Sequence, residues 1–343
     1  MTQGAVNGLL FCSNVLIPSL FPFMVLSSFI VKSNLSDSLS TLFKPITKYC
    51  FNLPTCCGIT ILLSVIGGYP VGAKGTVALW KQGKITEAQA KFMVLFAVGS
   101  GPAFVVFVVG ENLLHSTQVG IILCLSQVLA QIIIGVVMSL FHREKLVQYG
   151  CTHSHPIEIT NALVSSCSDS VMSMLNLCGL VVIFSSIMGI IKSTGADQWL
   201  SKAISATGIG SSTADSILPA LWEVTDGCST AISNNAPISI LAFAIGFGGV
   251  CVHFQIYSII GNLPVSKVKF LAIRFCQGVL SALITVIVLS LFPQSENVFS
   301  NVSSPTITTG SATYIGSIAL VIMSVMFLLT VKPYSKNSSI INK

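Results

Sequence analysis

The hydrophobic positions of this chain fall in long continuous runs. Five of them, 9–31, 119–141, 171–191, 269–292 and 314–331, are each close to the ~20 residues that a helix needs to cross the hydrocarbon of a bilayer. Two more, 90–110 and 238–261, are equally apolar but are interrupted halfway by "GSGP" (99–102) and "GFGG" (246–249). Polar and helix-breaking residues concentrate at two other places, "GGYPVGAKG" (67–75) and "EVTDGCSTA" (223–231). Four glycines, a proline and a lysine in one short stretch would break a spanning helix, so this stretch predicts a turn at membrane depth.

Composition turns these runs into a class. Only 8% of the 343 residues are charged, 52% are hydrophobic and the mean hydropathy is +0.85, too few charges to wet the surface of a soluble domain. The chain reads as an integral membrane protein. Run 9–31 is too long for a removable signal peptide and lacks a basic leader and a small-residue cleavage site, so it is counted as a span. The eleven cysteines are odd in number, and Cys12, Cys124, Cys178, Cys251 and Cys276 lie inside apolar runs, which suits small buried hydrophobes rather than a disulfide framework. Cys56 with Cys57, and Cys151 with His153 and His155, lack a second cluster at ligand spacing, so neither metal nor cofactor is expected. No nucleophile triad, phosphate loop or metalloprotease motif occurs, and enzymatic activity is not expected.

The order of segments repeats. A long helix, a polar-tipped hairpin, a broken helix and a continuous helix occupy 9–141 and recur over 170–292. If each hairpin enters and leaves on one side, each unit crosses three times, and the second is inverted relative to the first, a plan of secondary transporters. The expected fold is an all-α polytopic membrane protein with two inverted repeats, re-entrant hairpins and an extra C-terminal span at 314–331. Charge supports this topology. Fourteen Lys and Arg, among them Lys32, Lys81 and Arg274, fall on one side, and only Lys192 and Lys202 on the other, which places the C-terminus in the cytoplasm. The net charge of +6 is thereby a membrane signal, and no nucleic-acid partner is expected. A homo-oligomer is compatible with this reading.

Irregular backbone inside a membrane survives only where protein or a water-filled cavity satisfies it. Half-helices starting at such breaks aim free N–H groups at a ligand. The candidate substrate-binding residues are therefore Gly67, Gly68, Tyr69, Pro70, Gly72 and Lys74 on the first hairpin, and Ser100, Gly101 and Pro102 at the first break. Glu223, Thr225 and Gly227 on the second hairpin, and Gly248, Gly249, His253 and Gln255 at the second break, complete the set. Blander roles stand beside these. GGYPVGAK would also serve as a solvent loop, Lys74 as a snorkelling interfacial lysine, Glu223 and Asp226 as loop-solvating acids, and His253 as a packing residue. Asn234 and Asn235 are placed to cap the half-helix that starts at Pro237.

Taken together, "VLIPSLFPFMVLSSFIV" (15–31), "GGYPVGAKGTVALWKQGKITEAQA" (67–90), "GSGPAF" (99–104) and "GFGGVCVHFQ" (246–255) resemble the YlbJ, or SpoVV, family of sporulation integral membrane proteins, relatives of the nucleoside-recognition gate domain. The likeness runs in order from about residue 8 to residue 292. It implies a transporter of dipicolinic acid, a planar aromatic dianion, in the outer forespore membrane or cell membrane of a spore-forming bacterium. It also implies a fold similar to concentrative nucleoside transporters. Two features depart from the family. Only seven residues precede "GLLFCSNVLIPSLFPF", where the family has a further spanning helix, and Val98, Gly99 and Ser100 stand where relatives carry asparagines. A carrier of nucleosides or another small anion, and a non-transporting membrane scaffold, are the competing readings.

Overall fold

The computed structural model describes residues 2–33, 42–141 and 159–292. Every regular element among them is helical. The predicted span at 314–331 and the Cys151–His155 stretch lie outside the described residues.

The chain enters as α1 (Thr2–Phe11), passes through a π-helical turn (Cys12–Leu16) and continues as α2 (Ile17–Lys32). The two arms bend by 56°. Pro18 and Pro22 cannot donate to the preceding turn, and that is where the regular ladder gives way. Gly4 and Gly8 let α1 approach α7 (Ile159–Thr194) closely, since a Cβ on Gly8 would lie 3.1 Å from that of Ser185.

Two short helices, α3 (Cys57–Gly67) and α4 (Tyr69–Lys81), meet at Gly68. Each is about 16 to 20 Å long at 1.5 Å per residue, too short to cross a bilayer. They fold back on one another. A Cβ on Gly72 would strike Ser64, and one on Gly75 would lie 2.7 Å from the Thr60 methyl, so residues before Gly68 face residues a similar distance after it. Gly72, a candidate ligand-binding position, is thus closely packed, against Ser64 of the other arm and against the Ala97 carbonyl of another segment. The next helix, α5 (Glu87–Phe96), starts with a capping box in which Thr86 and Gln89 exchange side-chain and backbone bonds of 3.1 and 2.9 Å. It stops at the predicted break and resumes as a π-helical segment (Ala103–Leu113), followed by the unbroken α6 (Thr117–Phe141).

The same order of parts returns after α7. A short amphipathic helix, α8 (Ala196–Ser205), precedes a second hairpin of α9 (Ser211–Trp222) and α10 (Val224–Ser233), joined at Glu223. Its arms also pack closely: a Cβ on Gly227 would lie 2.5 Å from the Cα of Ala220. Then come α11 (Ile238–Phe247), a break at Gly248, α12 (Gly249–Ile260) and the continuous α13 (Lys267–Leu291). Among the described residues four helical stretches are long and apolar enough to span, five if the bent α1–α2 pair counts as one.

Three expectations need correction. Helix α7 begins at Ile159 and not at 171, because the serine-rich stretch before the apolar run continues the helix and packs along α2 through a Lys32–Asp169 ion pair of 2.6 Å. Asn234 and Asn235 do not cap α11. Asn234 bonds the Ser216 hydroxyl at 3.2 Å, Asn235 takes a left-handed turn with φ 51°, and the N-terminus of α11 has no side-chain cap. Arg274 is no loop charge: it is fully buried on α13.

Candidate functional site: two helix breaks, one arginine and a string of cavities

A helix that stops inside a membrane leaves its last carbonyls without partners. Helix α11 stops at Gly248, whose φ of 88° suits glycine, and the Gly248 N–H bonds the Ala244 carbonyl at 2.8 Å. The next three carbonyls are met from elsewhere in the fold. The Tyr69 hydroxyl donates to Ile245 O at 2.5 Å, and Arg274 Nη2 to Gly246 O at 2.6 Å. Arg274 Nε and a His253 ring nitrogen reach Phe247 O at 3.4 and 3.0 Å.

Arg274 also reaches the first break. Its Nη1 donates to Val98 O, just past the end of α5, and to Gln277 Oε1 at 2.6 Å. The guanidinium therefore sits between the C-terminal ends of two half-helices, α5 and α11, whose dipoles present partial negative charge to it. Its Cζ lies 5.4 Å from the Tyr69 ring centre, a cation–π distance. Five donors in a rigid fork suit a place where several carbonyls converge. Across the fold, α6 serves the first break in a similar way: Gln127 Nε2 donates to Ser100 O at 2.7 Å, and its Oε1 accepts from Ser100 N at 3.3 Å.

The first hairpin and the first break touch through backbone. Gly68 has φ 80°, and a Cβ there would lie 3.1 Å from Gly101 N, so both turns require glycine. Ser100 Oγ lies 2.5 Å from Tyr69 Oη and 3.2 Å from Ile245 O, tying the first hairpin, the first break and the second break at one point. The second hairpin arrives with Glu223, only 3% exposed. Its carboxylate caps α10, accepting from Thr225 N at 2.9 Å, Asp226 N at 2.8 Å and Thr225 Oγ1 at 2.9 Å.

A cavity of about 50 Å³ lies where these parts meet. Gly67, Gly68, Tyr69 and Pro70 line it from the first hairpin, Ser100 and Gly101 from the first break, Glu223 and Thr225 from the second hairpin, and Gln255 from α12. Nine of the candidate residues are thus brought together. The other seven stand elsewhere. Gly72 and Gly227 pack hairpin arms, Gly248 backs onto the Tyr69 ring and Gly249 onto the Glu223 backbone. Pro102 starts the π-helical segment. His253 bonds the Phe247 carbonyl at the second break, with its ring edge-on to Phe247 at 4.7 Å and to Phe270 at 5.4 Å. Lys74 faces a neighbouring cavity, bonded to Ser173 Oγ and, at 3.4 Å, to the Asp169 main-chain carbonyl.

Three larger cavities adjoin the central one. On one side are spaces of about 370 and 210 Å³, both lined by Pro70, Lys74 and Asp169. On the other is a space of about 470 Å³ that shares Val181, Glu223 and Thr225 with the centre and reaches Asp226 and Lys192, which pair at 3.3 Å. Helix α7 lines all four in sequence: Asp169 at the first, Ser173 at the second, Leu177 and Val181 at the centre, Lys192 at the last. Residues 169 to 192 span about 34 Å at 1.5 Å per residue, the depth of a bilayer core.

Arg274, Gln127 and Gln277 were not among the candidates, although a signal was present. Arg274, Gln277 and Ser281 lie at i, i+3 and i+7 of an apolar helix, a narrow polar stripe on its buried face.

Apolar spanning helices around a buried polar junction of two broken helices define a polytopic integral membrane protein. The chain is 22% identical over 312 residues to the sporulation integral membrane protein YlbJ of Bacillus subtilis (strain 168), a match that covers 83% of this chain and 76% of that one, and this supports its assignment to the YlbJ family. No family model and no solved structure matches the chain.

Proposed function

We propose that the protein is a secondary transporter or facilitator of dipicolinate, working in the membrane between mother cell and forespore. The observation that carries the transport reading is the row of cavities along α7, which approaches a small central cavity, apolar apart from Tyr69, Ser100, Glu223, Thr225 and Gln255, from both ends over a bilayer's depth. The centre, at about 50 Å³, is too small for a ring compound, so passage requires the parts around it to move. In this reading the two hairpins are re-entrant, the halves 9–141 and 170–292 are inverted repeats as in concentrative nucleoside transporters, and the Asp169 end of α7, which meets Lys32, Lys74 and Lys81, faces the cytoplasm with the C-terminus. Dipicolinate follows from the family resemblance, and the basic cavity at that end suits two carboxylates.

One observation favours a second reading. The charged residue on the wall of the central cavity is an acid, Glu223, which suits an uncharged polar ring such as a nucleoside better than a dianion, unless Glu223 binds a proton or cation that travels with the substrate. Thermal unfolding of the purified chain in mild detergent separates the two, because a ligand that binds only the folded state raises Tm. Dipicolinate is expected to raise Tm in the millimolar range and uridine or adenosine to leave it unchanged. Stabilisation by nucleosides alone would replace dipicolinate with the nucleoside reading.

A further inference from the structure

The charges on the wall of the 370 Å³ cavity are three lysines, Lys32, Lys74 and Lys81, and one aspartate, Asp169, among the described residues. Lys32 Nζ lies 2.6 Å from Asp169 Oδ2 and also bonds the Ser165 hydroxyl. Lys74 meets the same turn of α7 through the Asp169 carbonyl and Ser173. One carboxylate against three ammonium groups leaves two positive charges over, the charge of a dicarboxylate. The Asp169 side chain is half exposed and belongs to α7, while Lys32 and Lys74 come from α2 and α4, so the ion pair joins separate elements across the cavity mouth. Such a pair is weak in an aqueous opening and is readily exchanged for another carboxylate. The adjoining 210 Å³ space carries the path on from Lys74 and Asp169 to Gln255, which also lines the central cavity.

We infer that this cavity is an entry site for dicarboxylates, in which Asp169 occupies Lys32 as a built-in carboxylate until the incoming one displaces it. The inference deepens the transport reading and rests on it for what happens after binding. An arriving dianion pairs one carboxylate with Lys32 and the other with Lys74 or Lys81, and the released Asp169 swings into solvent. The contact between α2 and α7 then runs through the bound molecule instead of through the protein. Asp169 is a specificity residue here because it sets the threshold a ligand has to exceed. A monocarboxylate offers a single group in exchange for the one it displaces and gains little, whereas a dicarboxylate engages a second lysine.

The test uses isothermal titration of benzene-1,3-dicarboxylate, which has the same spacing of carboxylates on a six-membered ring, into the full chain in detergent, for wild type, Asp169→Asn, Lys32→Gln and Lys74→Gln. Asp169 is half exposed, so its amide variant keeps the fold. Asp169→Asn is expected to bind about two- to fivefold more tightly than wild type, and each lysine variant more weakly by a similar factor. All affinities should weaken as salt is raised, and benzoate should gain less from Asp169→Asn than the dicarboxylate does. Equal affinities of Asp169→Asn and wild type, or no binding to any form, would overturn the entry site. Dipicolinate flux into proteoliposomes, measured alongside, keeps the two ideas apart. Flux with no change of apparent KM in Asp169→Asn sinks the entry site and leaves the transport reading standing. Tighter binding to Asp169→Asn with no flux in any form supports the entry site and sinks the transport reading.

Discussion

At the scale of single residues, the fold turns on how a positive charge is held without a carboxylate. Arg274 has zero exposure, and its polar partners are oxygens of Val98, Gly246, Phe247 and Gln277. Taking it away leaves buried carbonyls at both helix breaks, each costing about 1–3 kcal/mol when unpaired. Arg274→Met is therefore expected to lose on the order of 3 kcal/mol, read as a fall of several degrees in Tm in detergent. Arg274→Lys restores the charge but not the fork, and should recover only part of that loss. Unchanged stability in Arg274→Met would contradict the clasp. Sequence reasoning placed this arginine among the loop charges because it lies near the start of an apolar run; its register with Gln277 and Ser281 was the evidence against that. His253, beside the second break, bonds the Phe247 carbonyl and stands edge-on to Phe247 and Phe270.

At the scale of elements, the breaks were legible because glycine and proline act locally. "GGYP", "GSGP" and "GFGG" each interrupt an apolar run, and each marks a helix end in the fold. Hairpin packing was less legible, because the need for a small residue at 72, 75 or 227 depends on what the opposite arm carries. Gly75→Leu and Gly227→Leu are expected to force the arms of their hairpins apart, costing roughly 1–3 kcal/mol each, and more where the backbone cannot shift. Gly179 is the matched control, since nothing lies within 4 Å of a Cβ there. Gly179→Ala should be neutral or stabilising by about 0.5–1 kcal/mol. Monodispersity on gel filtration together with Tm checks the set, and equal behaviour of all three variants would remove the packing argument. The extent of α7 was misjudged for a related reason: hydropathy reports the part that lies in lipid, while the serine-rich turns before it are helical because they lie against α2.

At the scale of the whole molecule, the recurrence of hairpin, broken helix and continuous helix was visible in the order of segments, and the structure has the same order. What the sequence could not supply is the meeting of the parts. Tyr69, Ser100, Ile245 and Arg274 are far apart in the chain, and only the fold closes them into one junction. Nor could it reveal that four cavities follow one helix for the depth of a bilayer. The transport reading rests on that row, in which charged and polar groups such as Lys74, Asp169, Glu223 and Lys192 punctuate largely apolar walls. The most direct measurement is uptake of radiolabelled dipicolinate into proteoliposomes containing the purified chain, with and without an imposed proton or sodium gradient. The account predicts saturable uptake well above that of empty liposomes, lowered by Lys74→Gln. Uptake no greater than in empty liposomes, for dipicolinate and nucleosides alike and with protein shown to be folded, would contradict it.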